Sequence, residues 1–309
     1  EADATGQGQF IDHGTLNVTG SSNVEQYVVS ERWHFVSAPI NDATIGVYED
    51  MWLKEFNEPT NAWTYLSLPL TIPMPVTKGF SVWADDDATG TKTVTYTGNI
   101  NTGVDFPVSS LTYTPAGGAG WNLVGNPYPA PLQWNSSWSK TNLSEWACVH
   151  NNGHDECYNA ATQTGWPNAG DMANGIIPPT QGFWVRTTSA SAALTIPESE
   201  RMFSDQGFYK ESMAEINESI RIKVEGNNDY DVLLVQFIPG ATPGFDPSFD
   251  LEKRWGYDEA PQIYSIVGDE EYFSVNALPE ASSGLIIPVG FTVGVEGKYT
   301  LSLAEFAKI

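Results

Sequence analysis

The chain has 309 residues, of which 41% are hydrophobic and 17% charged, with a formal net charge of −24. That composition describes a folded protein with room for two or three domains, not a disordered chain. A surface this acidic repels phosphate backbones, which excludes nucleic acid as a partner while leaving divalent cations attractive.

Read in order, the sequence breaks into short alternating runs between Gly, Pro, Asn and Ser turns, and no long stretch carries a helical period. The fold class expected is all-β: duplicated β-sandwich or jelly-roll-like modules followed by a C-terminal β-sandwich. Residues 1–30 read as an N-terminal β arm, with runs at Gln9-Phe10-Ile11, Thr15-Leu16-Asn17-Val18 and Val24 to Val29. Such an arm pairs either with its own domain or with a neighbour. No run is long and apolar enough to cross a bilayer, so membrane insertion is not expected. The start lacks a signal-peptide pattern, so residue 1 reads as a mature or trimmed end.

Residues 31–197 form a duplicated domain. Its first repeat, about 31–98, opens with Trp33-His34-Phe35-Val36-Ser37-Ala38-Pro39 and closes with Thr77-Lys78-Gly79-Phe80-Ser81-Val82-Trp83. Its second, about 110–197, opens with Trp121-Asn122-Leu123-Val124-Gly125-Asn126-Pro127 and closes with Thr180-Gln181-Gly182-Phe183-Trp184-Val185-Arg186. In each, the exit segment and the alternating run after it (Thr91 to Thr97, Ala193 to Ile196) read as a hairpin. Entry, exit and closing strand recur in one order, which is the signature of an internal repeat. Residues 198–216 read as a linker and 217–309 as a separate β-domain. The latter opens on a clear hairpin, Ile220 to Glu225 and Val232 to Phe237, around Gly226-Asn227-Asn228-Asp229.

The two entry segments and Gln181-Gly182-Phe183-Trp184-Val185 resemble extracellular surface proteins of Bacteroidetes exported by the type IX secretion system. The likeness continues in Phe237-Ile238-Pro239-Gly240-Ala241-Thr242, Ala260-Pro261-Gln262-Ile263-Tyr264-Ser265, Asn276-Ala277-Leu278-Pro279 and Ile287-Pro288-Val289-Gly290-Phe291. The resemblance implies a secreted, adhesin-like location on the cell surface and says little about activity. Proteins of this kind continue beyond the position of Ile309 with further strands. The resemblance thus implies either that the following part has been cleaved off or that the final sandwich lacks strands, and in the second case its open edge is able to recruit a strand from another chain.

Several constellations are candidates for chemistry. Cys148 and Cys157 lie close together in a Gly/Asn-rich stretch, which favours a local disulfide closing an exposed loop in an oxidising compartment. With His150 and His154 they also make the ligand set of a zinc site, as the alternative. Asp85, Asp86 and Asp87 beside Gly90, and Asp246 with Asp250, could hold calcium through oxygen ligands or serve only as solvated turns. No other cofactor is expected. Ten of the eleven Trp lie between Trp33 and Trp184. Trp33, Trp121 and Trp184 sit at or beside repeat positions and read as packing. Trp138, Trp146 and Trp166 belong to the longer second repeat and are candidates for stacking on glycans, or for packing in turn. Hydrolase and phosphate-binding motifs are lacking, and four histidines are few.

The function expected from these readings is non-enzymatic. It is that of an extracellular structural or adhesive cell-surface protein that self-assembles into a homo-oligomer or fibre by strand donation from the N-terminal arm. The alternative is a carbohydrate-binding module that uses Trp138, Trp146 and Trp166 on surface glycans.

Overall fold

A computed structural model describes residues 2–3, 6–14, 16–29, 33–84, 91–115, 118–151, 154–166, 172, 174–204, 218–256, 259–268, 271–282 and 284–307. Strands and three short 3-10 turns make up its regular structure, and the fold is all-β as expected.

The N-terminal ribbon β1 (Ala2–Asp3) and β2 (Gly6–Gln7) lies against its own chain: the Ala2 amide donates to a Glu25 carboxylate oxygen at 3.0 Å. The segments Gln9 to Ile11 and Leu16 to Val18 are irregular rather than stranded. The first is held by other loops instead of a ladder, with the Phe10 backbone amide donating to the Pro129 carbonyl and the Gln9 side-chain amide to the Ser204 carbonyl. β3 (Ser22–Val29), read from sequence as the end of the arm, pairs along its length with β8 (Thr91–Gly98). Facing that pair is a four-stranded sheet in the order β4 (Trp33–Val36), β7 (Phe80–Trp83), β5 (Trp52–Asn57), β6 (Ala62–Leu66). Val24, Val28, Val94 and Tyr96 from the ribbon meet Val36, Leu53, Phe80 and Val82 from the sheet in one core. β7 and β8 are therefore not a hairpin. The chain crosses between two sheets there, as sandwiches require.

The second module repeats the plan. Its main sheet runs β10 (Trp121–Gly125), β17 (Gly182–Thr187), β13 (Leu143–Asn151), β14 (His154–Asn159), β15 (Thr164–Trp166). Entry, exit, third and fourth strands thus stand in the same order as in the first module, with β15 added at the edge. A sheet of β12 (Ser139–Thr141), β18 (Ala193–Ile196) and β9 (Phe106–Pro107) and the pair β11 (Leu132–Gln133) and β16 (Ile176–Ile177) contribute the rest of the core. Here too the exit strand and its successor fall in different sheets rather than forming a hairpin.

The modules are joined reciprocally. Val36 at the end of one entry strand bridges Gln181 of the other module's exit, and Val124 bridges Lys78. The Ser37 amide donates to the Thr180 carbonyl and the Gly125 amide to the Thr77 carbonyl, both at 2.9 Å. Thr77 and Thr180, at φ 70° and 58°, are left-handed and buried, a conformation an L-residue adopts only when its surroundings impose it. A Cβ on Gly125 would lie 2.3 Å from the Ser37 Cβ, so this crossing admits only glycine. Glu58 adds a clamp. Its buried carboxylate accepts from the Thr114 amide at 2.7 Å and the Gly120 amide at 3.0 Å, tying the first module to the loop that enters the second.

The C-terminal domain is one curled sheet, in the order β24 (Val289–Thr292), β22 (Gln262–Val267), β23 (Glu271–Leu278), β20 (Asp229–Phe237), β19 (Ser219–Gly226), β25 (Thr300–Ala307), with β21 (Leu251–Glu252) beside β23. The predicted β19–β20 hairpin is present, with Asn227 and Asn228 at φ 56° and 60°, as a type I′ turn demands. One face of this sheet packs on the second module through Leu234, Leu251 and Val275. The other gathers Val224, Leu233, Val235 and Ile263 under Ile287 and Tyr299.

Candidate functional site

Successive side chains on a strand point to opposite faces. In each module one face of the main sheet makes the core and the other faces outward. In the second module the outward face is covered. Trp121, Leu123, Trp146, Cys148, Cys157 and Trp184 meet Leu234, Leu251 and Val275 of the C-terminal domain. Polar groups fix the fit: the Trp146 indole N–H donates to the Phe249 carbonyl at 3.2 Å, and the Asn159 amide to the Ser248 carbonyl at 2.9 Å. Arg186 pairs with Glu252. Arg254 pairs with Asp155 at 3.0 Å, and its guanidinium lies 4.1 Å and 5.0 Å from the Trp184 and Trp121 rings. Burial lowers the pKa of Arg254 and Asp155 opposes that shift, so the cation is held by its partner and by two ring faces.

Cys148 and Cys157 stand directly opposite each other on β13 and β14 and are joined by a disulfide. The bridge is buried under the C-terminal domain, not exposed on a loop. With the sulfurs bonded to each other there is no thiolate pair for zinc, which removes the metal reading of Cys148, His150, His154 and Cys157. Among the described residues no group of three or more His, Cys, Asp or Glu could hold a metal ion.

The three tryptophans expected to stack on glycans are buried. Trp146 and Trp166 lie beneath the C-terminal domain. Trp138 packs on Trp134 at 4.7 Å in the second module's core, its indole N–H on the Gln133 carbonyl at 2.7 Å. None offers a free face to a sugar. The cavity left at the domain junction, about 110 Å³ between the cystine, Trp166, Asp155 and Arg254, lies well below the ~300–1,000 Å³ of ligand pockets.

Asp246 and Asp250 serve the backbone. The buried Asp250 carboxylate accepts from the Ala277 amide at 2.7 Å and the Asp246 amide at 2.6 Å, and Asp246 accepts from the Thr242 amide. Desolvation still dominates and pushes the Asp250 carboxyl up to about 7. Asp85, Asp86 and Asp87 lie outside the described residues.

The first module's outward face is open at one end only: Phe35, Phe56 and Trp63 pack on Trp184 of the second module, with ring centroids 5.5, 4.9 and 5.9 Å away, while the end that carries Trp52 and Tyr65 is exposed. Register fixes the correspondence. Lys54 opposes Ser81 and Tyr65, as Cys148 opposes Trp184 and Cys157. Trp52 therefore occupies the position of Trp146, and Lys54 and Tyr65 the positions of the two cysteines. Trp52 is 57% exposed and Tyr65 59%, where Trp146 is fully buried. Lys54 Nζ sits 3.4 Å from the Trp33 ring and 4.7 Å from Trp63, and its pKa is lowered by desolvation. Entry tryptophans in both modules thus carry a cation, from Lys54 in one and from Arg254 of the C-terminal domain in the other. Beside Trp52 and Tyr65 opens a cleft of about 570 Å³, within the ligand range. Neither residue stands out in the sequence, since only the register of β5, β6 and β7 reveals them.

A second open surface lies at the rims of the C-terminal sheet. Leu301 and Leu303 on β25 are 49% and 61% exposed, and Val289 and Phe291 on β24 are exposed at the other edge. Among the described residues β25 pairs only with β19, and β24 only with β22.

A family model described as a domain of unknown function (DUF8693) matches residues 21–309. No curated protein and no solved structure gives a significant match.

Proposed function

The chain belongs to the family matched over residues 21–309, and we propose for it an extracellular structural and adhesive role at a cell surface, exercised by self-association through the edge of the C-terminal sheet. The observation that carries this reading is β25. It is an eight-residue edge strand whose outer hydrogen-bonding side has no partner among the described residues and whose Leu301 and Leu303 stand exposed. Long apolar edges pair with other strands unless charge, proline or a covering element prevents it. The opposite edge, β24, carries exposed Phe291, so pairing of β25 on one copy with β24 on the next would continue a single sheet from copy to copy. Such a contact does not close and extends as a fibre.

The donor differs from the one expected. Residues 22–29 are engaged with β8 and supply Val24 and Val28 to the first core, so this strand of the N-terminal arm is not free to leave. The disulfide supports an oxidising compartment. No helix among the described residues is long and apolar enough to cross a membrane. Export by the type IX route stands on the resemblance described above.

Sedimentation velocity and electron microscopy test the reading. Association that grows with concentration, and that disappears in a Leu301→Lys/Leu303→Lys variant of unchanged unfolding midpoint, is expected. Monodisperse monomers of the unaltered chain at high concentration would sink it.

A further inference from the structure

We propose that the cleft beside Trp52 and Tyr65 on the first module binds a neutral saccharide. The two rings project from paired strands, with centroids 6.1 Å apart and planes at 77°, so they form two walls of a corner rather than a stacked pair. Both keep more than half their surface exposed. The cleft continues below them over Leu70 and is rimmed by Glu49, Asp50 and Ser67. Glu49 and Asp50 are exposed, and their carboxylates have no partner among the described residues. A pyranose matches this arrangement: its C–H face lies on an aromatic ring while its hydroxyls donate to carboxylates at the rim.

The floor is fixed in advance. Tyr48, which lines the cleft, is locked by hydrogen bonds to Gln26 at 2.6 Å and to Tyr96 at 2.5 Å, so the cavity is not free to collapse onto itself.

One observation favours a sugar over a protein cover of the kind seen on the second module. There the C-terminal domain is pinned by ion pairs at Arg186 and Asp155. The corresponding positions of the first module, by register, are Trp83 and Trp63, which cannot make ion pairs. The net charge of −24 further selects against anionic glycans, so the ligand class is a neutral one.

Titration calorimetry of the full chain against cellohexaose, xylohexaose, laminarihexaose and mannohexaose, with chondroitin sulfate as the anionic control, decides the matter. Binding of at least one neutral hexasaccharide is expected. Trp52→Ala and Tyr65→Ala should each weaken it about tenfold or more, while Trp52→Phe retains most of it. Both side chains are exposed, so the unfolding midpoints of these variants should match the unaltered chain. The Leu301→Lys/Leu303→Lys variant should bind sugar normally, which separates this site from self-association. The assignment fails if none of the four hexasaccharides binds, if only chondroitin sulfate binds, or if Trp52→Ala binds as well as the unaltered chain. It also fails if Trp52→Ala alters only the sedimentation profile, which would mark the cleft as a contact between copies.

Discussion

Trp52 and Trp146 occupy the same place on a duplicated sheet, and one is a surface residue while the other is among the most buried in the chain. The difference does not come from the modules themselves. Each puts tryptophan on the outward face of its third strand. It comes from a third domain that has docked over one tryptophan and left the end of the other face, at Trp52 and Tyr65, uncovered. The residues around each tryptophan have followed suit. Beneath the cover are a cystine and two guanidinium–carboxylate pairs; around the exposed tryptophan are a lysine held between two indoles and a tyrosine turned to solvent. A position in a fold, then, does not by itself determine whether a large aromatic is core or contact surface.

Truncation of the two tryptophans tests that contrast most directly. Trp146→Ala should cost about 3–5 kcal/mol in urea unfolding, the usual toll of emptying an aromatic site in a packed core. Trp52→Ala should stay within about 0.5 kcal/mol of the unaltered chain. Equal losses would mean that the first face is covered as well.

The next effect is pH-dependent and confined to the covering domain. With the folded pKa of Asp250 raised to about 7, the folded state keeps a proton that the unfolded state has already released. The stability this group contributes is fully present below the ordinary carboxylate range. It is lost as pH rises from there to about 7, by an amount on the order of a few kcal/mol. Unfolding midpoints measured between pH 4 and 8 should show that decline, and Asp250→Asn should flatten it.

Removing the disulfide with Cys148→Ala/Cys157→Ala closes no loop in the unfolded chain and should cost about 2–3 kcal/mol for a separation of nine residues. The first module holds the same cross-strand position with Lys54 and Tyr65. Smallest of all, Lys54→Met keeps the packing stem and deletes the charge above Trp33, for about 1 kcal/mol or less by thermal unfolding.

The repeat was legible because its markers are local. Trp, an apolar residue, Val and Pro at fixed offsets announce an entry strand, and Thr-Lys/Gln-Gly-Phe announces the exit turn, whose left-handed threonines and close-packed glycines tolerate little else. Alternation in Thr91 to Thr97 correctly marked a strand but could not name its partner. The nearest strand in sequence, β7, lies in the opposite sheet, and the true partner is β3. The cysteine pair was legible from spacing, whereas its burial was not, since that depends on a domain more than seventy residues downstream in the chain. The same holds for Trp146 and Trp166. Composition gave them the look of a sugar platform, and docking of Leu234, Leu251 and Val275 made them core. Trp52 and Tyr65 were hidden for the converse reason, because nothing in their local sequence says that no domain lands on them.

The crossed bonds between Ser37 and Thr180 and between Gly125 and Thr77 have a further meaning. Each half completes the other through the same patch, which is the relation of two subunits across an isologous two-fold axis, here written into a single chain. In a true dimer every substitution at the axis appears twice and must suit both copies. In one chain it appears once. Ser37 on one side can face Gly125 on the other, where two serines would collide, and the cystine can belong to one half alone. Covalent linkage thus keeps the geometry of a symmetric pair while releasing it from identical sequences, and that release lets one half hold a third domain and the other keep an exposed corner at Trp52 and Tyr65.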